Sequence, residues 1–133
     1  MSSSNEETGT NRLLAAAGVF GTVGVVAGAF GAHALRESLE VSGKVDVWQT
    51  AVLYNLLHAV ACMAVISGGA PRMRSAVWLW LIGIGLFSGS LYFLALGGPK
   101  WLGPVTPLGG AFLVAGWLWI TAGVFTGKRG GSD

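Results

Sequence analysis

The segment that decides the fold is LLAAAGVFGTVGVVAGAFGAHAL, which occupies positions 13–35 and contains no Asp, Glu, Lys or Arg. It is bounded by Arg12 and Arg36. Since an α-helix rises about 1.5 Å per residue, about 20 mainly apolar residues are enough to cross the hydrocarbon core of a bilayer. The segment therefore predicts one membrane-spanning helix.

Three further charge-free stretches follow, at positions 47–71, 75–99 and 101–127. Each is long enough for one more crossing, so the sequence predicts four spans, at about 13–35, 47–68, 75–97 and 107–126. A spanning segment must satisfy its own backbone hydrogen bonds, and the strand alternation of a membrane barrel is missing from these stretches. The predicted fold class is all-α, a polytopic membrane protein built as a four-helix bundle.

The composition of the whole chain excludes several other classes. Of its residues 53% are apolar and 11% are charged, with 8 basic and 6 acidic side chains. A soluble domain carries about twice that charged fraction, and a disordered chain combines low hydrophobicity with high net charge. The sequence has no stripe of basic residues of the kind that binds nucleic acid. The bilayer itself is therefore the expected partner.

The ends of the chain are predicted to be tails around one transmembrane domain at 12–127. Residues 1–11 and 128–133 are rich in Ser, Gly, Thr and charge, which is typical of disordered termini. Ala32–Ala34 imitates the cleavage site of a signal peptide, but the apolar stretch Leu13–Phe30 exceeds the usual length of about 7–15 residues. We therefore expect the first helix to be retained.

The basic residues predict the orientation. Four spans place both termini on one side of the membrane, and basic residues in short flanks tend to stay cytoplasmic. Five basic residues fall on the side of the termini: Arg12, Arg72, Arg74, Lys128 and Arg129. Three fall on the other side: Arg36, Lys44 and Lys100. This distribution favours cytoplasmic termini.

Glycines at four-residue spacing occur in two of the spans, as Gly24 with Gly28 and as Gly85 with Gly89. Helices in lipid associate through small residues that let their backbones approach closely. These faces are expected to contact other helices. The partner could belong to the same chain, to a second copy or to a larger membrane complex.

Polar side chains inside the apolar spans are the candidate functional residues. Tyr54 and His58 are four residues apart and share a helix face with Asn55 beside them, and Ser88 and Tyr92 share a face of the third span. Such groups are rare in membrane helices and often mark function. The predicted polar cluster comprises His33, Tyr54, Asn55, His58, Ser88, Ser90, Tyr92 and Thr106.

Three roles are open for this cluster. Its members could bond only neighbouring helices, could bind a lipid or a small polar ligand, or could serve catalysis or a proton relay. His33 and His58 are expected to lie about 10–15 Å apart in depth, which does not suit one haem iron, and a zinc site needs more ligands than His58 and the lone Cys62. We therefore expect no metal, no cofactor and no catalytic residues.

Four motifs carry a resemblance to a known family: Gly28–His33, Trp48–Thr50 followed by Tyr54 and His58, Leu86–Tyr92, and Val105–Gly110. In these the chain resembles the small bacterial inner-membrane proteins of domain of unknown function 423, the YgdD-like family. The resemblance implies a four-helix protein of the inner membrane with no established activity. It also implies recurring polar positions at every member of the cluster except Asn55, where the family commonly has Gln.

The function that we expect is that of a non-enzymatic membrane protein, acting as a structural or interaction subunit. In this reading the polar cluster fixes the helices and receives a lipid or a small polar ligand. A small carrier or channel is the alternative, and a membrane enzyme is the third choice.

Thr106, followed by Pro107, is further expected to cap the fourth span.

Overall fold

The computed structural model describes residues 1–127, and most of them are helical. The α-helices are α1 (Ser2–Ala32), α2 (Arg36–Ser42), α3 (Val45–Ser67), α4 (Arg74–Ala95) and α5 (Val105–Gly127). Short 3-10 turns precede α4 and α5, and no strand occurs within 1–127. The four long helices are long and apolar enough to cross a membrane. This confirms the predicted all-α class and its four spans.

The N-terminal segment differs from its prediction as a disordered tail over 1–11, because α1 already begins at Ser2. A helix that is nucleated inside the membrane extends outward without a second nucleation cost. The Thr8 and Thr10 hydroxyls donate to carbonyls one turn earlier, and Arg74 Nη2 donates to Thr10 Oγ1 at 2.7 Å. The predicted C-terminal tail, 128–133, lies outside the described residues.

The connection between α1 and α3 contains the short helix α2, which the charge pattern did not predict. Arg36 Nε donates to Glu40 Oε1 at 2.9 Å within this helix. Gly43 ends it with φ of +68°, a left-handed conformation that glycine adopts without strain. The Lys44 amide then donates to the Leu39 carbonyl at 2.8 Å. The chain thereby turns directly into α3.

The four spans follow one another in an antiparallel array. α1 lies against α3, α3 against α4, and α4 against α5, while α1 contacts α4 over only a short length. Within 1–127, α1 and α5 do not lie against each other over any length. The core follows the same order and is centred on Trp80 and Ile84 of α4, each 1% exposed. The remaining faces of α1 and α5 are available to lipid.

Glycines of α1 provide the contact with α3. A side chain at Gly24 would overlap Leu56, and one at Gly31 would overlap the indole of Trp48. Trp48 Nε1 in turn donates to the Ala27 carbonyl at 2.8 Å. The glycine-rich face of α1 is therefore occupied by α3 within the same chain.

The backbones of α4 and α5 approach each other closely at Gly109. A Cβ at Gly109 would overlap the backbone amide of Phe87 and would lie 2.8 Å from the Leu86 carbonyl carbon. Side chains at Gly83 and Gly116 would overlap Leu113 and Trp80. Glycine at these positions lets the two helices meet.

Candidate functional site

Buried polar groups link α3 to α4. Asn55 is 1% exposed, and its Nδ2 donates to the Tyr92 hydroxyl at 3.0 Å. Ser88, which is equally buried, donates from its Oγ to the Ala51 carbonyl at 2.8 Å. Such bonds replace water, which the hydrocarbon region does not supply. The structure thus brings together three predicted members of the cluster, Asn55, Ser88 and Tyr92.

His58 joins α3 to α5. Its Nδ1 lies 2.8 Å from the Tyr54 carbonyl, and its Nε2 lies 3.0 Å from Trp117 Nε1. An indole N–H can only donate, so Nε2 is the acceptor and Nδ1 carries the hydrogen that the Tyr54 carbonyl accepts. Both ring nitrogens are therefore engaged in the neutral tautomer. The ring also lies edge-on to Trp80, with centroids 6.1 Å apart.

Ser90 and Thr106 form a separate pair between α4 and α5, with their hydroxyl oxygens 2.6 Å apart. Ser90 Oγ also lies 3.0 Å from the Phe87 carbonyl. The expected capping role of Thr106 is wrong, because α5 begins one residue earlier, at Val105, and the Thr106 hydroxyl turns to Ser90. The hydroxyl serves contact between helices and not the helix end.

Two predicted members do not join these groups. His33 follows the last residue of α1 and is exposed. Tyr54 is 40% exposed, with its ring 4.8 Å from that of Phe87 and 6.0 Å from that of His58. Neither side chain makes a hydrogen bond within the described part of the chain, so the hydrogen-bonded polar groups come from the other six.

A cavity of about 120 Å³ opens between α1 and α4, beside Asn55. Its walls include Phe20 and Val23 of α1, and its α4 side is formed by Gly85, Ser88, Gly89 and Tyr92. Asn55 Oδ1 is buried and has no partner among the described residues. An amide acceptor without a partner costs about 1–3 kcal/mol. This unpartnered acceptor belongs to a residue that lines the cavity.

Sequence reasoning missed the tryptophans that hold the site. Trp117 is the donor to His58, and Trp80 Nε1 donates to the Leu113 carbonyl at 3.2 Å. Both lie well inside their spans, away from the interfacial belts where tryptophan is common. An indole N–H at that depth needs an acceptor in the protein. This requirement was the signal that could have identified them.

The described residues hold no constellation for metal chemistry. Within 1–127, no three His, Cys, Asp or Glu side chains come together as metal ligands would. Cys62 is buried and lies 4.0 Å from the Val77 carbonyl. What the arrangement does offer is hydrogen bonding between helices and one unpartnered acceptor at a small cavity.

Four apolar helices with polar groups bonded between them define a multi-pass integral membrane protein. Comparison with known proteins gives the family. The chain belongs to the family described as protein of unknown function, DUF423, whose model matches residues 27–110. That range includes all eight candidate residues, although Trp117 lies beyond it.

Several membrane proteins are similar to this chain. A UPF0382 membrane protein of Staphylococcus saprophyticus is 40% identical over 101 residues, which are 74% of this chain and 83% of that protein. The UPF0382 membrane protein YwdK of Bacillus subtilis is 41% identical over 98 residues, 70% and 79% of the two chains. The UPF0382 inner membrane protein YgdD of Escherichia coli is 35% identical over 127 residues, 90% and 93% of the two chains. No solved structure matches.

Proposed function

We propose that this protein is a non-enzymatic structural or interaction subunit of the membrane, in which the polar cluster fixes the helices. The observation that carries the proposal is the pairing of the buried polar groups. Asn55 is bonded to Tyr92, Ser88 to a carbonyl of α3, and His58 to Trp117. Polar groups that position reactants are left free to bond a substrate. The polar groups of this protein already form hydrogen bonds with neighbouring helices.

The proposal places the protein in a bacterial inner membrane with both termini in the cytoplasm. The excess of basic residues on the side of the termini supports this orientation. The similarity to YgdD, which is named an inner membrane protein, supports the location. A fusion of a periplasmic or cytoplasmic reporter to each terminus would test it.

A ligand-binding role attaches to one place in the cluster, the cavity beside Asn55. Its walls are mainly apolar and Oδ1 lacks a donor. A lipid or small polar ligand that enters from the bilayer between α1 and α4 and presents one O–H or N–H group would satisfy this acceptor. Gly89 borders open space, since a Cβ there would have no neighbour within 4 Å, and a Cβ at Gly85 would lie 3.9 Å from Phe20 Cζ.

Substituting Asn55→Leu is expected to abolish this binding. Native mass spectrometry of the gently solubilised protein should show a bound mass on the wild type that the variant lacks, because leucine removes the acceptor and keeps the number and branching of the side-chain heavy atoms. Ser90→Ala is the control, since Ser90 pairs with Thr106 and does not line the cavity. Equal retention of the mass by both variants would contradict binding at Asn55.

The carrier or channel alternative requires a water-filled path to His58. His58 is 3% exposed and both of its ring nitrogens are engaged, which supports the structural role instead. A cysteine scan from Thr50 to Ala61, made in a Cys62→Ala background, separates the two roles. We expect a membrane-impermeant maleimide to leave these positions unmodified.

The control for the scan is Ser42→Cys, which lies at the exposed end of α2 and should react fully. A continuous row of reactive positions along the face of His58 would overturn the structural role in favour of a carrier.

A further inference from the structure

A second region of the protein has a groove whose lining differs from that of the Asn55 cavity. A groove of about 430 Å³ lies between the last turns of α5 and the turn that leads into α4. Its polar lining comprises Arg72, Ser75, Trp119 and Thr126, and Ala122 and Gly123 form an apolar floor. The groove lies at the membrane edge that the chain termini face, and it shares no lining residue with the Asn55 cavity.

The structure holds Arg72 in a fixed position at this groove. Its Nη2 donates to Thr126 Oγ1 at 2.8 Å, and its backbone carbonyl accepts a hydrogen bond from Trp119 Nε1 at 3.1 Å. Thr126 Oγ1 in turn lies 3.1 Å from the Ala122 carbonyl, to which it donates. Arg72 is thus anchored to α5 through both its side chain and its backbone.

The charge of Arg72 is not compensated within the described residues. The ion pair that they contain joins Arg36 to Glu40, near the opposite membrane edge. A guanidinium has five N–H donors, and in Arg72 Thr126 takes one of them. The remaining donors suit the paired oxygens of a phosphate, which arginine recognises in a bidentate manner.

We propose that this groove binds the phosphate group of an anionic phospholipid. α4 begins at Arg74 and α5 ends at Gly127, so the groove lies at the depth of lipid headgroups. Trp119, which is 50% exposed, is a residue type that favours this depth. With the orientation of the proposed function this edge is cytoplasmic, and basic pockets between membrane helices on that side bind anionic headgroups. The apolar floor favours a lipid over free phosphate, because acyl chains can continue along α5.

The test is native mass spectrometry of the full chain after exchange into mixed micelles with phosphatidylglycerol or phosphatidylcholine. We expect the wild type to retain phosphatidylglycerol and Arg72→Gln to retain about tenfold less or lower, since a charge-assisted hydrogen bond is lost. Arg36→Gln is the matched control and should retain as much as the wild type. Equal retention by Arg72→Gln and the wild type would overturn the proposal.

Two further arms separate the sources of the phosphate. Displacement of the lipid by an excess of inorganic phosphate would overturn lipid binding in favour of a soluble anion, and equal retention of phosphatidylcholine would overturn the preference for anionic lipid. Should Arg72→Gln fail to fold, Thr126→Val removes the anchor of the guanidinium without changing the charge. It is expected to lower retention of phosphatidylglycerol, and unchanged retention would count against the site.

Discussion

Gly109→Ala is expected to destabilise the protein by about 3 kcal/mol, the upper part of the usual range for overpacking a core. The new methyl group would overlap the backbone amide of Phe87 and lie 2.8 Å from the Leu86 carbonyl carbon. A flexible side chain could move aside, but here the obstacle is the backbone of α4. The helices must therefore separate along their contact. Reversible unfolding in mixed detergent measures the resulting change in the free energy of unfolding.

The matched control is the adjacent residue of the same helix. A Cβ at Gly110 would lie 3.6 Å from Phe87 Cδ2, which is an ordinary van der Waals distance. Since alanine is favoured over glycine in a helix by up to about 1 kcal/mol, Gly110→Ala should be neutral or slightly stabilising. If the two variants were equally stable, the close approach of α4 and α5 at Gly109 would be wrong.

The spans were predictable because the sequence marks their ends with charge. A charged side chain is costly within the hydrocarbon, so the charge-free stretches bounded by Arg12, Arg36, Arg72 and Lys100 place each helix to within a few residues, except at the start of α1. The extension of α1 back to Ser2 was not predictable in this way, because a charged segment outside the membrane can be a helix or a tail.

The rotation of each helix about its own axis could not be predicted. The spans are apolar on nearly all sides, so no polar face shows which side meets a neighbour. Gly24 and Gly89 belong to similar pairs in the sequence, yet Gly24 meets Leu56 whereas Gly89 faces open space. Their different surroundings depend on the contacts of whole helices, which spacing along one helix does not encode.

The residues of the candidate site were predictable from the sequence, as the spans were. The rarity of polar groups in membrane helices identified Asn55 and His58 as candidates, and both are buried. Their partners were not predicted, because a partner on another helix depends on depth and rotation together. His58 bonds Trp117, which lies on another helix and was not among the candidate residues.

The second large effect is expected for His58→Ala, which should destabilise the protein by about 2–4 kcal/mol. The substitution leaves a cavity beside Trp80 and deprives the Trp117 indole N–H of its acceptor. His33→Ala is the control, because His33 is exposed and should change stability by less than about 0.5 kcal/mol. Thermal unfolding in detergent measures both variants.

A double-mutant cycle of His58→Ala with Trp117→Phe isolates the hydrogen bond between the two rings. Each single variant leaves the other ring without its hydrogen-bond partner, whereas the double variant removes both rings, so the effects should not add. A coupling of about 0.6 kcal/mol, and at most about 1.7 kcal/mol, is expected for a bond between membrane helices. Additive effects would show that the bond between the two rings does not contribute.

An unchanged melting temperature for His58→Ala, combined with loss of a transport or enzyme activity in cells, would refute the structural role of this histidine and favour a functional one.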